Sequence, residues 1–129
     1  MSLDLSDPKL AGKKRGLEHL LSAAGYSLGG FRRMLGETAF RHELAAAAIV
    51  FVLFALRGAE VASYLTQGVL ILVLMACEAL NTAIEIIVDR VSPEISEFAR
   101  HAKDLGSFAV FCLLAANGAY AASVLIAGA

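Results

Sequence analysis

"VASYLTQGVLILVLMACEALNTAIEIIVDR" (residues 61–90) opens on seventeen uncharged residues and closes on a series of polar ones: Glu78, Asn81, Glu85 and Asp89. Their spacing is i, i+3, i+7, i+11. At about 100° per residue, all four fall within about 80° of each other on one face of a helix. A helix over this stretch has roughly thirty residues and a length of about 45 Å. The hydrocarbon core of a bilayer is only about 30 Å thick, so the helix must tilt or protrude, and its charged end reaches headgroups or water. Carboxylates at the edge of a hydrocarbon segment are costly, which favours a functional reading. Glu78 is the deepest of them. About three helical turns separate it from Asp89, and no basic residue lies near it in sequence.

The rest of the chain supports a membrane class. Of 129 residues, 58% are hydrophobic and 18% charged, and the mean hydropathy is +0.69. A soluble domain of this size would struggle to bury that much apolar surface. Residues 44–56 form another uncharged run, and residues 105–129 carry no charge at all. A single all-α membrane domain is expected, with transmembrane helices at about 38–58, 61–90 and 103–127. Residues 1–15 read as a polar, basic leader, with a short helix able to begin after Pro8, and no secretory signal pattern is seen. Residues 16–35 place Leu17, Leu20, Leu21 and Ala24 at helical spacing but are too polar to span. They predict an amphipathic surface helix, or two, broken near Gly29–Gly30. Cys77 and Cys112 sit in apolar runs and read as small hydrophobes.

Lys and Arg number seven before the first span, one (Arg57) in the first loop, three (Arg90, Arg100, Lys103) between the second and third spans, and none after. That distribution predicts a cytoplasmic N-terminus and an external C-terminus. All three spans then carry acidic groups at one membrane level, with Glu37 and Glu43 at the first, the Glu78–Asp89 ladder at the second and Asp104 at the third. Caps and interfacial ion pairs account for some of the charges at this level, Glu43, Asp89 and Arg100 above all. Glu78 fits that account least well. Several carboxylates and an Asn suit Mg²⁺, a hard cation that keeps substrate phosphates in its shell. Lys103 suits a phosphate, and a partly desolvated carboxylate suits a general base for an alcohol. Together these are the parts of a phosphoryl transfer. No G-x-x-x-x-G-K-[ST] or kinase-type G-x-G-x-x-G is present, so a nucleotide site must be of another design.

"AAGYS" (23–27), "ETAFRHE" (37–43), "EALNTAIEIIVDR" (78–90) and "RHAKDLGS" (100–107) stand in an order that resembles the bacterial integral-membrane diacylglycerol kinases, over roughly residues 17–126. The resemblance implies a homotrimer of three-span subunits with a surface helix, in the bacterial inner membrane. It implies transfer of the γ-phosphate of MgATP to the hydroxyl of diacylglycerol, giving phosphatidic acid. Carried over by position, Glu78 matches the general base, and Glu37 and Glu85 the metal-binding glutamates. Tyr26, Glu37, Glu85, Glu94, Lys103 and Asp104 match the nucleotide site. His19 stands where family members often carry Arg in that site. Glu78, Ser107 and Arg32 fall on the lipid side, and Asn81, Asp89 and Glu43 support the active site.

Three short helices cannot enclose a nucleotide, whereas a trimer can build sites between subunits. Small residues (Ala45–Ala48, Gly106, Ala109, Ala115, Ala116, Gly118) allow close helix approach. No nucleic-acid partner is expected. Undecaprenol kinase is the nearest alternative, with the same chemistry on another lipid. A small proton-coupled exporter carrying its proton on Glu78 is the alternative from another class, although such proteins have four spans and a midplane carboxylate.

Overall fold

The computed structural model describes residues 16–127, and the leader 1–15 lies outside the described residues. Four helices follow in order: α1 (Leu17–Met34), α2 (Thr38–Arg57), α3 (Val61–Val91) and α4 (Glu97–Ala127). The chain divides into two compact units, residues 1–33 and 34–129.

The first unit holds α1. It has Glu18 in its first turn and Arg32 and Arg33 in its last, each opposite in sign to the helix-end charge it neighbours. The expected break at Gly29–Gly30 does not occur. The helix runs through both glycines, and neither has a positive φ. Two glycines cost a helix about 2 kcal/mol relative to alanine, but nothing in their geometry forces it to end.

In the second unit, α2, α3 and α4 are each long and apolar enough to cross a membrane, and the chain is a membrane protein. Large apolar side chains such as Leu56, Leu72, Ile87, Phe108 and Ile126 are exposed along them. In water they would be a liability, whereas in lipid they are the expected surface. α3 and α4 pack against each other along much of their length, while α2 touches both more sparsely.

α2 ends in a Schellman turn. Gly58 takes φ 69° and ψ 36°, its N–H donates to the Ala55 carbonyl, and the Ala59 N–H donates to the Phe54 carbonyl. That turn brings Phe54 into a core with Ala121 and Val124. The Tyr64 ring meets Phe54 edge-on at 5.6 Å and stacks on Phe51 at 6.0 Å.

The other end of the α3/α4 pair differs from expectation. α4 begins at Glu97, six residues before the position near 103 expected from the charge distribution. Ser96 is the reason. Its Oγ accepts the Ala99 N–H at 3.1 Å, an N-cap bond to the third helical residue, and it also pairs with Ser92 Oγ at 2.9 Å. Pro93 lies just past the end of α3, where a ring without an N–H cannot continue the helix. The first turns of α4 therefore carry Arg100, expected in the loop, on the same helix as Lys103 and Asp104.

Candidate active site

The polar face of α3 meets α4 and the start of α2 around a pocket of about 280 Å³. Glu78, Asn81, Thr82 and Glu85 come from α3, Ser107 from α4, and Glu37 from the residue that opens α2. Glu37 takes an extended N-cap conformation but makes no side-chain capping bond to its own helix; its side chain lines the pocket instead.

Glu78 is buried, with 8% of its surface exposed. From α2, Glu43 lies near it, and Glu43 Oε2 is buried without a hydrogen-bond partner. One turn beyond Glu78, Asn81 Nδ2 donates to Glu85 Oε1 at 3.1 Å. Asn81 Oδ1 is buried and unmatched. This contact follows from the i, i+4 spacing of Asn81 and Glu85 on one helix face.

A further turn along the same helix pair, Lys103 Nζ lies 2.5 Å from Asp89 Oδ1. That pair borders a second pocket of about 370 Å³, lined also by Glu94, Ser96, Arg100 and Asp104. The expected site residues of the second unit thus fall into two neighbouring sets. Glu37, Glu78, Asn81, Glu85 and Ser107 share one pocket, and Asp89, Glu94, Lys103 and Asp104 share the other. Glu43 reaches the first set through Glu78 and lines a third, apolar cleft of about 490 Å³. His19, Tyr26 and Arg32 belong to α1, in the other unit.

Two features escape a reading of charge alone. Thr82 lines the first pocket beside Asn81. Gln67 and Asn117, one on α3 and one on α4, are 2% and 9% exposed. Gln67 Nε2 donates to Asn117 Oδ1 at 2.8 Å, and Asn117 Nδ2 donates to the carbonyls of Leu70 at 3.1 Å and Leu113 at 2.9 Å. Their only signal in the sequence is a lone amide in each apolar run, the kind of residue that bonds between membrane helices.

The pocket suits a hard cation brought in by its substrate. Its polar groups are oxygen ligands of the right chemistry: the Glu37 and Glu85 carboxylates and the hydroxyls of Thr82 and Ser107. Among the described residues, no cluster of three or more His, Cys, Asp or Glu side chains could hold a metal by itself. Mg²⁺ needs no such cluster, because it is usually bound by one or two carboxylates while retaining waters and substrate phosphates.

Three membrane-crossing helices with a carboxylate-lined pocket toward one end define an integral membrane protein with a polar site at the edge of its hydrocarbon span. Residues 25–125 match the family described as prokaryotic diacylglycerol kinase. The chain is 58% identical to a diacylglycerol kinase of Sinorhizobium sp. over 114 residues, covering 88% of this chain and 83% of the relative. It is 39% identical to a diacylglycerol kinase of Haemophilus influenzae, covering 82% and 91%. It is 34% identical to one of Escherichia coli K12, covering 78% and 84%. The chain belongs to the prokaryotic diacylglycerol kinase family, and it is a kinase. That membership sets aside the exporter reading.

Proposed function

We propose that this chain transfers the γ-phosphoryl group of MgATP to the free hydroxyl of diacylglycerol, giving phosphatidic acid and ADP. The observation that carries this reading is the pocket in which the buried carboxylate of Glu78 stands with those of Glu85 and Glu37. The relatives named diacylglycerol kinase supply the lipid.

In this reading Glu78 accepts the proton of the lipid hydroxyl as its oxygen attacks the γ-phosphorus, while the bond from that phosphorus to the ADP oxygen breaks. Glu78 is placed for a substrate arriving sideways from the membrane, and its burial suits a carboxylate for general-base work. Glu43 orients Glu78. Glu37 and Glu85 hold Mg²⁺, which, when bound with the nucleotide, offsets charge on the phosphoryl oxygens. Asn81 fixes the Glu85 carboxylate through their hydrogen bond. Lys103, Asp104 and Glu94 face the nucleotide from the second pocket, with Asp89 holding the Lys103 ammonium in place. Ser107 lies on the lipid side.

The active form is a homotrimer in the bacterial inner membrane. Sparse packing of α2 on α3 and α4 and the apolar cleft of about 490 Å³ support association of copies. The N-terminus faces the cytoplasm, in keeping with the Lys and Arg distribution. Single cysteines placed at Ala59→Cys and Glu94→Cys, after replacement of Cys77 and Cys112, test the orientation. An impermeant thiol reagent added outside should label the first and spare the second.

The reaction is tested with purified protein in mixed micelles, given MgATP with diacylglycerol and undecaprenol side by side. Phosphatidic acid is the expected product. Phosphorylation of undecaprenol alone would overturn the lipid assignment, and phosphorylation of neither would overturn the reaction. A particle mass of three chains in detergent is expected, and a monomer retaining full activity would sink the trimer.

A further inference from the structure

Gly106 sits in the interior of α4, where alanine would be the more favourable helix former, and it is buried. A β-carbon built on Gly106 would overlap Asn81 Oδ1 and lie 3.1 Å from Asn81 Cγ. Contacts of that kind are absent at Gly68 and Gly118, the other glycines inside α3 and α4, where an added β-carbon meets nothing within 4 Å. Gly106 thus stands out as a seat for one particular side chain.

The seated side chain is Asn81. With Oδ1 against the backbone of α4 and without a hydrogen-bond partner, its amide turns Nδ2 toward Glu85 Oε1 at 3.1 Å. A buried amide oxygen without a partner is unfavourable by itself. The arrangement persists because the amide is held between α4 on one side and the Glu85 carboxylate on the other. A methyl at position 106 could be accommodated only if the Asn81 amide moved, because the backbones of α3 and α4 are packed against each other here. Moving the amide breaks or bends its bond to Glu85.

We propose that Gly106 is a positioning residue of the active site. It gives the Asn81 carboxamide the one orientation that fixes the Glu85 carboxylate, and so sets the cation requirement of the reaction without touching substrate. This rests on the reading of Glu85 as a metal-binding residue given under Proposed function. The seating of Asn81 itself does not depend on it.

The test is a double-mutant cycle with four proteins in the same micelles: parent, Gly106→Ala, Asn81→Ala and the two together. Thermal unfolding without Mg²⁺ or ATP reads the seat alone. Gly106→Ala should lower the midpoint in the parent background. In the Asn81→Ala background it should raise it, because the clash is gone and alanine favours the helix. Lipid phosphorylation at varied Mg²⁺ reads the consequence. Gly106→Ala should raise the Mg²⁺ needed for half-maximal rate by about 10–100-fold, the usual cost of losing a residue that orients a metal ligand. In the Asn81→Ala background it should add nothing.

Equal midpoint shifts in the two backgrounds would overturn the seat, and with it the proposal. A sign reversal in the midpoints with an unchanged Mg²⁺ requirement would confirm the seat but overturn its link to Glu85. If the parent phosphorylates no lipid, the proposed function fails while the unfolding cycle still decides the seat. If Gly106→Ala does not fold, folding of the double variant supports the seat, and failure of both overturns it.

Discussion

Two asparagines at the seam of α3 and α4 differ in what they leave unused. Deep in the span, Asn117 donates to two carbonyls and accepts from Gln67, so every polar atom of its side chain is engaged. Toward the charged end, Asn81 spends one hydrogen on Glu85 and leaves its oxygen buried and unmatched, beside a pocket with three carboxylates. The Asn117 side chain, closed on its own partners, contributes to holding the helices together, although Gln67 Oε1 beside it is also buried without a partner. At the charged end the pocket carboxylates are what a substrate or cation can use, while the Asn81 oxygen, seated against α4, serves only to hold the amide. Glu78 and Gln67 are both buried on α3, and Gln67 Oε1 is itself unmatched, but only Glu78 shares a pocket with further carboxylates. Burial of a polar residue in a membrane helix is thus by itself a weak guide to function; the carboxylates gathered around Glu78 separate the two cases.

The sharpest way to break this comparison is at the open end. Glu78→Gln keeps the shape and removes the base. Turnover should fall by about 10²–10⁴-fold, the span usual for general acid–base work, while MgATP binding and the mass of the assembled particle stay the same. Turnover close to the parent in a variant that folds and binds MgATP would reduce Glu78 to a positioning role and make Asp104 the next base to test. Glu85→Gln comes next. It should raise the Mg²⁺ needed for half-maximal rate by at least about 10-fold, by analogy with the cost of disturbing residues around a bound metal. A Mg²⁺ titration of initial rate reads this directly, and full activity in excess chelator would remove the metal role altogether.

At the closed end the expectation reverses. Gln67→Leu leaves Asn117 Oδ1 without its donor but also removes the unmatched Gln67 Oε1, so it should cost only about 0.5–1 kcal/mol of stability. Activity per folded molecule should be unchanged. Unfolding by denaturing detergent in mixed micelles measures the first, and rate normalised to folded protein the second. A loss of turnover without loss of stability would mean that the deep amide pair belongs to the site after all.

The two ends were unequally legible in the sequence. The ladder on α3 could be read from spacing, because one helix face is a local property. The spans could be read from hydropathy for the same reason. The pairing of Gln67 with Asn117 could not, since fifty residues separate them and nothing local says which amide meets which. Nor could the seat at Gly106, because a small residue in a membrane helix looks the same whether it faces lipid, another helix or a side chain that needs the room. The start of α4 was missed for a different reason. The stretch from Arg90 to Lys103 is rich in charge and contains Pro93, so it resembles a loop, yet Ser96 followed by Glu97 is a helix-opening signal that decides the matter locally. Gly29–Gly30 misled in the opposite direction, since glycine weakens a helix without ending it.

That start of α4 gives the smallest effect and the finest division between the two ends. Ser96→Ala removes the acceptor for the Ala99 N–H and the partner of Ser92 Oγ. Loss of an N-cap typically costs about 1 kcal/mol, and the cost falls on the first turns of α4, which carry Arg100, Lys103 and Asp104. Asn117 lies several turns further along and is held by three bonds of its own, so it should not register the change. Amide hydrogen exchange should therefore quicken over residues 97–104 and stay the same around Asn117. The Lys103 ammonium would be less firmly placed against Asp89, so half-saturation for ATP should rise while turnover at saturation holds. Faster exchange along the whole of α4 would mean that the helix opens as one unit, and the division into a closed and an open end would then describe its contacts but not its motions.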